Sequence, residues 1–263
     1  VDALIRSRSV LWLLVKRELR ARYAGSVLGS VWNIIQPLFL IGIYVLVFSS
    51  VMHRAGGGTR GGYVVHLCAG LIPWLVFSET LQRCTGILAE NANFLKKLTF
   101  PHEILHFSVL AHALVIHFIS LVGLLVLLML FGAPLGREVL LAFPLLAGIG
   151  LVAAGLGMVL SVLNLLLRDI GPLTTLLLQA WFWLTPIVYV PAILPGGAEG
   201  WVFRLLQHSP ILGYISATQA VFGSPQAYFH DDSIYVMVLL PFAAIWIGRE
   251  VLRRQRAELL DLL

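Results

Sequence analysis

Apolar runs of about twenty residues alternate along this chain with short segments rich in charge, glycine or proline. The runs fall at Val31–Met52, Tyr63–Arg83, Ile104–Phe131, Val139–Leu165, Leu173–Val190 and Ile234–Arg249. Most approach or exceed the roughly 20 apolar residues that a helix needs to cross a bilayer, and the last is short on paper. Lipid offers no partners to backbone N–H and C=O groups, so such runs cross as helices. The pattern predicts an all-α integral membrane protein of six spans, forming a single transmembrane domain over residues 1–263.

Three stretches break the alternation. Between residues 4 and 24, Leu11, Trp12, Val15, Leu19 and Tyr23 fall on one side of a helix, and Arg6, Lys16, Arg17 and Arg20 on the other. A basic face, an apolar face and a Trp predict a helix lying along the cytoplasmic leaflet. Residues 86–101 predict a water-facing loop or helix, polar at Glu90 and Asn91, dibasic at Lys96 and Lys97, and closed by Pro101. Residues 191–229 are too long for a turn, yet Trp201–Leu206 and Ile211–Phe222 are apolar and are split by Pro195, Pro210 and Pro225. Such lengths predict re-entrant half-helices between spans five and six. Within the fourth span, Gly148, Gly150, Gly155 and Gly157 predict close approach of neighbouring helices.

Composition agrees with lipid as the solvent. The chain is 59% hydrophobic and 12% charged, about half the charge of a soluble domain, and its mean hydropathy is +0.91. If both termini are cytoplasmic, only Arg54, Arg60, Arg137 and Arg204 of the 18 Lys and Arg residues lie outside. That bias sets the orientation and explains the net charge of +5 without nucleic acid. Cys68 and Cys84 share one predicted helix and stand about 24 Å apart along it, beyond disulfide reach. Val10–Val15, followed by Lys16 and Arg17, is too short for the core of a cleavable signal.

Candidate chemistry is sparse. His102-Glu103-Ile104-Leu105-His106 matches the His-Glu-x-x-His pattern of zinc peptidases, but it follows a proline at a predicted membrane boundary, where polar side chains snorkel to the surface. Glu79 is the only carboxylate well inside a predicted span, which argues against an ion-coupled carrier. No Gly-x-x-x-x-Gly-Lys-Ser/Thr phosphate cradle occurs. The spans are instead rich in aromatic side chains: Trp32, Phe39, Tyr44 and Phe48 in the first, Trp74 and Phe77 in the second, Trp181, Phe182, Trp183 and Tyr189 in the fifth. Interfacial belts explain any one of them. As a set they offer faces on which sugar rings stack through their C–H patches, in a way that tolerates sliding.

Residues 15–37, Gly70–Trp74, Asn91–Pro101 with Glu103-Ile-Leu, Leu167-Arg-Asp-Ile170, and Leu184-Thr-Pro-Ile187 with Tyr189 resemble the type-2 ABC exporter permeases that move polysaccharides. These are the O-antigen, capsule and teichoic-acid transporters, of which the O-antigen branch is the nearest in pattern. The resemblance implies a homodimer in the bacterial inner membrane, bound to two copies of a cytoplasmic ATPase. That ATPase binds ATP and Mg, so this chain is a non-enzymatic transport subunit without cofactor or metal. It implies a substrate path along Phe39, Tyr44, Phe48, Trp74, Trp181, Trp183 and Tyr189. A lipid-linked glycan enters near Lys16, Arg17, Arg20 and Arg22, which attract its pyrophosphate. The ATPase is contacted by Glu90, Asn91, Phe94, Lys96, Lys97 and Pro101, and an extracytoplasmic gate lies at 191–229. Two alternatives stay open: a permease of the same type for a small amphipathic drug or lipid, and an intramembrane metalloprotease using His102, Glu103 and His106.

Overall fold

The computed structural model describes residues 8–21, 25–54, 60–92, 95, 101–130, 136–189, 200–207, 209–224 and 233–255. Among them every regular element is helical. They are α1 (Arg8–Ala21), a 3₁₀ turn (Gly29–Val31), α2 (Trp32–Arg54), α3 (Arg60–Glu90), α4 (Glu103–Leu130), a 3₁₀ turn (Arg137–Leu141), α5 (Ala142–Leu166), α6 (Ile170–Leu184), α7 (Trp201–Gln207), α8 (Pro210–Val221) and α9 (Ser233–Arg254). The bend from α1 into α2 passes through Gly25 and Gly29 at φ +85° and +48°, left-handed conformations that glycine adopts without a Cβ clash.

Four stretches are long and apolar enough to cross a membrane: Gly62–Glu90, Glu103–Val126, Arg137–Leu166 and Ile234–Arg254. Two shorter apolar stretches, Leu38–Val47 in α2 and Ile170–Leu184 in α6, fall where the first and fifth spans are expected. This is the make-up of a helical, membrane-embedded protein.

The helix of the fifth span, α6, falls short of its expected range of 173–190, because it stops at Leu184. The residue before a proline is pushed out of the helical region. Ahead of Pro186, Thr185 accordingly sits at φ −84°, ψ 130°, its hydroxyl donating to the Trp181 carbonyl at 2.8 Å. Tyr189 then donates to the Leu184 carbonyl at 2.8 Å. Tyr63 of α3 donates to the Val188 carbonyl at 2.5 Å, so residues 185–189 fold back on α3.

α3 is the central helix, with 72% of its apolar window buried and α2, α4, α5, α6 and α8 all packed on it. Its 31 residues make a rod about 46 Å long. One hydrophobic cluster surrounds its first two-thirds, from Tyr63 to Leu81. A second gathers Cys84, Ile87 and Leu88 of α3 with Ile104, Leu105 and Val109 of α4, Met158 and Val162 of α5, Leu252 of α9 and Leu14 of α1. The helices close tightly where small residues meet: a Cβ on Gly155 would strike the Ala244 backbone of α9, and one on Gly248 would lie 2.5 Å from the Gly155 carbonyl oxygen. Cys68 and Cys84 are buried free thiols.

The expected apolar face of α1 is divided. Leu14 and Val15 are buried, with Val10 and Leu11 packed beside them, whereas Trp12 and Leu13 are exposed. The helix therefore turns one apolar strip to the protein and leaves another outside. The side chain of Leu19, and Tyr23 altogether, lie outside the described residues.

In the 191–229 stretch, α7 and α8 are short helices, and residues 211–219 of α8 are all buried. Polar bonds fix α8 in place. Gln219 Nε2 donates to the His66 carbonyl of α3 at 3.2 Å, His66 Nδ1 meets Ser224 Oγ at 3.0 Å, and Tyr214 donates to the Met237 carbonyl of α9 at 2.5 Å.

Candidate functional site

A groove runs beside α3, bounded by α2 on one side and by α4 and then α6 on the other. It consists of two adjoining cavities. The first, of about 510 Å³, lies towards the Glu90 end of α3 and is lined by Gln36, Leu40, Leu75, Ser78, Glu79, Gln82, Arg83, Glu90, Ile116 and His117. The second, of about 420 Å³, is lined by Leu40, Tyr44, Leu71, Trp74, Leu75, Ser78, Gln82, Thr175, Leu178, Gln179, Phe182 and Trp183. Leu40, Leu75, Ser78 and Gln82 belong to both walls, so the cavities adjoin along one face of α3.

Helix periodicity builds this lining. Gln36, Leu40 and Tyr44 repeat every four residues on α2, Ser78 and Gln82 do so on α3, and Thr175 and Gln179 on α6. Residues four apart share a face, so each helix presents one polar-to-aromatic strip. Gln82 Nε2 donates to Thr175 Oγ1 at 3.0 Å, bridging α3 and α6. Asn164 at the end of α5 accepts the Gly171 N–H at 2.9 Å, satisfying one of the orphan donors at the start of α6.

The groove is polar at one end and aromatic at the other. At the polar end His117 Nε2 lies 3.1 Å from Glu79 Oε2, and Arg83 is bonded to Glu18 of α1. At the aromatic end Phe182 is the hub: its ring centroid lies 5.7 Å from Tyr44, 5.7 Å from Trp74 and 5.3 Å from Trp183. Trp181 backs the wall, 6.5 Å from Trp74 and 5.5 Å from Phe77. Edge-to-face pairs of this kind contribute about 0.5–1.5 kcal/mol each beyond burial.

Of the expected path residues, Tyr44, Trp74 and Trp183 line the groove and Trp181 stands behind it. Phe39 is 67% exposed on α2 and is not among the lining residues. Tyr189 caps α6, and the Phe48 side chain lies outside the described residues. Phe182, an aromatic of the fifth span that was not expected on the path, completes the lining together with a strip of Gln36, Ser78, Gln82, Thr175 and Gln179 that the aromatic pattern did not include. The signal of that strip in the sequence is polar residues four apart inside apolar runs.

Beside the polar end of the groove, just past the end of α3, Arg17 donates to Asn91 Oδ1 at 3.0 Å and lies 3.6 Å from Glu18. Asn91 Nδ2 donates to the Ile87 carbonyl at 2.9 Å. Lys16 and Glu90 are exposed, and Pro101 accepts the Ile104 N–H at 3.1 Å. The Arg20 side chain, together with Arg22, Phe94, Lys96 and Lys97, lies outside the described residues. The His-Glu-x-x-His residues serve helix packing: His106 Nε2 meets Ser161 Oγ of α5 at 2.9 Å, and Glu103 pairs with Arg249 of α9 at 3.5 Å.

The ABC-2 type transporter family profile matches residues 9–222. The O-antigen export system permease protein RfbA of Myxococcus xanthus is 29% identical over 265 residues, covering 98% of this chain and 96% of its own. A protein of the same name from Klebsiella pneumoniae is 24% identical over 257 residues, covering 97% and 95%. The polysialic acid transport protein KpsM of Escherichia coli is 22% identical over 256 residues, covering 94% and 93%.

Proposed function

Because this chain belongs to the ABC-2 type transporter family, we propose that it is the membrane subunit of an ATP-driven exporter that carries a lipid-linked polysaccharide of O-antigen type out of the cytoplasm. The observation that carries this reading is the groove of two adjoining cavities, with polar side chains at one end and Tyr44, Trp74, Phe182 and Trp183 at the other. A sugar chain offers hydroxyls to glutamine and carboxylate groups and C–H faces to aromatic rings, and this lining supplies both. The names of the relatives, which export O-antigen or transport polysialic acid, point the same way.

The rest of the arrangement follows from that premise. Gln82, Gln179 and Trp183 are exposed on a membrane-embedded chain, and polar groups there face water or protein rather than lipid. A second copy would close the open side of the groove into a channel, with α2 and α6 as the first and fifth of six spans. Two ATPase subunits on the cytoplasmic side supply the nucleotide chemistry, working on α1 and residues 86–101. Lys16, Arg20 and Arg22 attract the lipid pyrophosphate. α7 and α8 form the outer gate in the bacterial inner membrane, and both termini stay in the cytoplasm.

Reconstitution tests this. The chain is purified in mild detergent with the ATPase that accompanies it and placed in vesicles with a lipid-linked glycan. ATP-dependent appearance of glycan across the bilayer is expected. A well-behaved sample in which no ATPase accompanies the chain would overturn the reading.

A second reading, export of a small amphipathic drug or lipid, is favoured by one observation. An apolar cavity of about 740 Å³ lies on the other side of α6, lined by residues such as Leu156, Leu177, Trp181, Leu206 and Ile247. ATPase stimulation by small lipids together with indifference to glycans would select it.

A further inference from the structure

The lining of the groove discriminates between classes of polysaccharide. We infer that the polymer this groove accepts is uncharged along its repeat, and that Glu79 and Glu90 exclude acidic glycans. The inference rests on the glycan-export reading and adds the charge of the substrate to it.

Gln36, Gln82 and Gln179 line the path as neutral amides, which donate to and accept from hydroxyl groups. Glu79 and Glu90 add carboxylates, which accept from hydroxyls but repel carboxylates. Apart from the His117 imidazole, which sits against Glu79, Arg83 is the one cationic side chain among the described lining residues. It is already bonded to Glu18. An acidic repeat would thus bring an anion past Glu79 and Glu90 at every register, while the guanidinium that could receive it is held by a carboxylate of the protein's own. Next to low-dielectric walls such like-charge encounters are far less screened than in water. The strip beyond, at Ser78, Thr175 and Gln179, supplies hydroxyls and an amide but no compensating positive charge.

One pyrophosphate at the end of a lipid-linked chain crosses this wall once. A charge on every repeat would occupy it throughout transport. The aromatic end works with the same selection, because ring faces stack on the C–H patches of neutral hexoses and, being the negative side of the ring quadrupole, disfavour an anionic substituent laid on them.

The test uses the chain with its ATPase in vesicles and two probes: a lipid-linked neutral hexose polymer, and the same polymer oxidised at C6 to the uronic acid. The neutral polymer is expected to cross at least about tenfold faster, a ratio equivalent to ~1.4 kcal/mol. In the Glu79→Gln, Glu90→Gln double variant the ratio is expected to fall towards one, chiefly because the acidic polymer speeds up. Equal rates for the two polymers in the unaltered protein, or preference for the acidic one, would overturn the inference and leave the export reading standing. If neither polymer moves while a small amphipathic lipid stimulates ATP turnover, the export reading falls and takes the inference with it. The comparison of the two polymers in the unaltered protein decides the matter even if the double variant does not fold.

Discussion

Arg83 of α3 donates a hydrogen bond from its guanidinium to the carboxylate of Glu18 on α1, joining the interface helix to the central rod beside the polar end of the groove. Next to it, Arg17 donates to Asn91. Two links therefore hold α1 against the last turns of α3, and Arg17, one of the residues expected to attract a lipid pyrophosphate, is engaged within the protein.

The Arg83–Glu18 pair is partly exposed, at 34% and 14% for the two side chains, so its contribution is modest. A double-mutant cycle with Arg83→Gln and Glu18→Gln is expected to give a coupling of about 0.5–1 kcal/mol, read from unfolding of the detergent-solubilised protein. Strictly additive effects would show that the contact contributes nothing to holding α1.

Trp183 and Phe182 are neighbours with different expected consequences. Trp183 is 56% exposed at the groove, so Trp183→Ala removes a ring face without opening a cavity. It should lower glycan export severalfold while leaving the unfolding midpoint unchanged. Phe182 is 9% exposed and touches three other aromatic rings. Phe182→Ala should destabilise by about 3–5 kcal/mol, as Phe-to-Ala changes in cores do. Normal export by Trp183→Ala would remove the stacking role.

The seat of α8 depends on a few buried polar bonds. Gln219 donates to the His66 carbonyl and lies 3.3 Å from His66 Nε2. Gln219→Leu takes away that donor and leaves the buried His66 Nε2 without it, a cost of about 1–3 kcal/mol. The loss should be local: amide hydrogen exchange should speed up in α8 and hardly change in α5. A Cβ on Gly70 would lie 2.6 Å from Gln219 Nε2, so Gly70→Ala should give the same pattern from the other side. Unaltered exchange in both variants would mean that α8 is held by its apolar contacts alone.

Much of this architecture is legible from hydropathy, because the length of an apolar run decides whether a helix crosses. The short helices α7 and α8 are legible too, from the spacing of Pro195, Pro210 and Pro225. The groove is less so. Glu79, Gln82 and Gln179 sit inside apolar runs, but no local pattern says that α2, α3, α4 and α6 bring them to one wall. That depends on which helix lies beside which, a long-range property. The same holds for α1, where spacing shows one apolar face and the structure divides it between protein and surroundings. Tyr189 fits an aromatic path by type, yet Pro186 ends α6 and turns its hydroxyl into a cap for Leu184.

The link between α1 and α3 bears on how force would reach the groove. Asn91 joins both helices, since its Oδ1 accepts from Arg17 and its Nδ2 donates to the Ile87 carbonyl. Asn91→Ala removes both bonds and leaves the buried apolar seat around Leu14 and Leu95 intact. If the ATPase acts on this region, α1 and α3 should then no longer move together. ATP hydrolysis by the assembled complex should continue at a rate within about twofold of the unaltered protein, while glycan export falls by roughly tenfold or more, a loss of ~1.4 kcal/mol in coupling. Phe94→Ala and Lys96→Glu should uncouple in the same sense, because they alter the adjoining expected contact with the ATPase. The two activities are measured on one reconstituted sample, so that loss of assembly, which would lower both, is distinguished from uncoupling, which lowers only one. Parallel retention of hydrolysis and export in all three variants would remove residues 90–101 from the path of force.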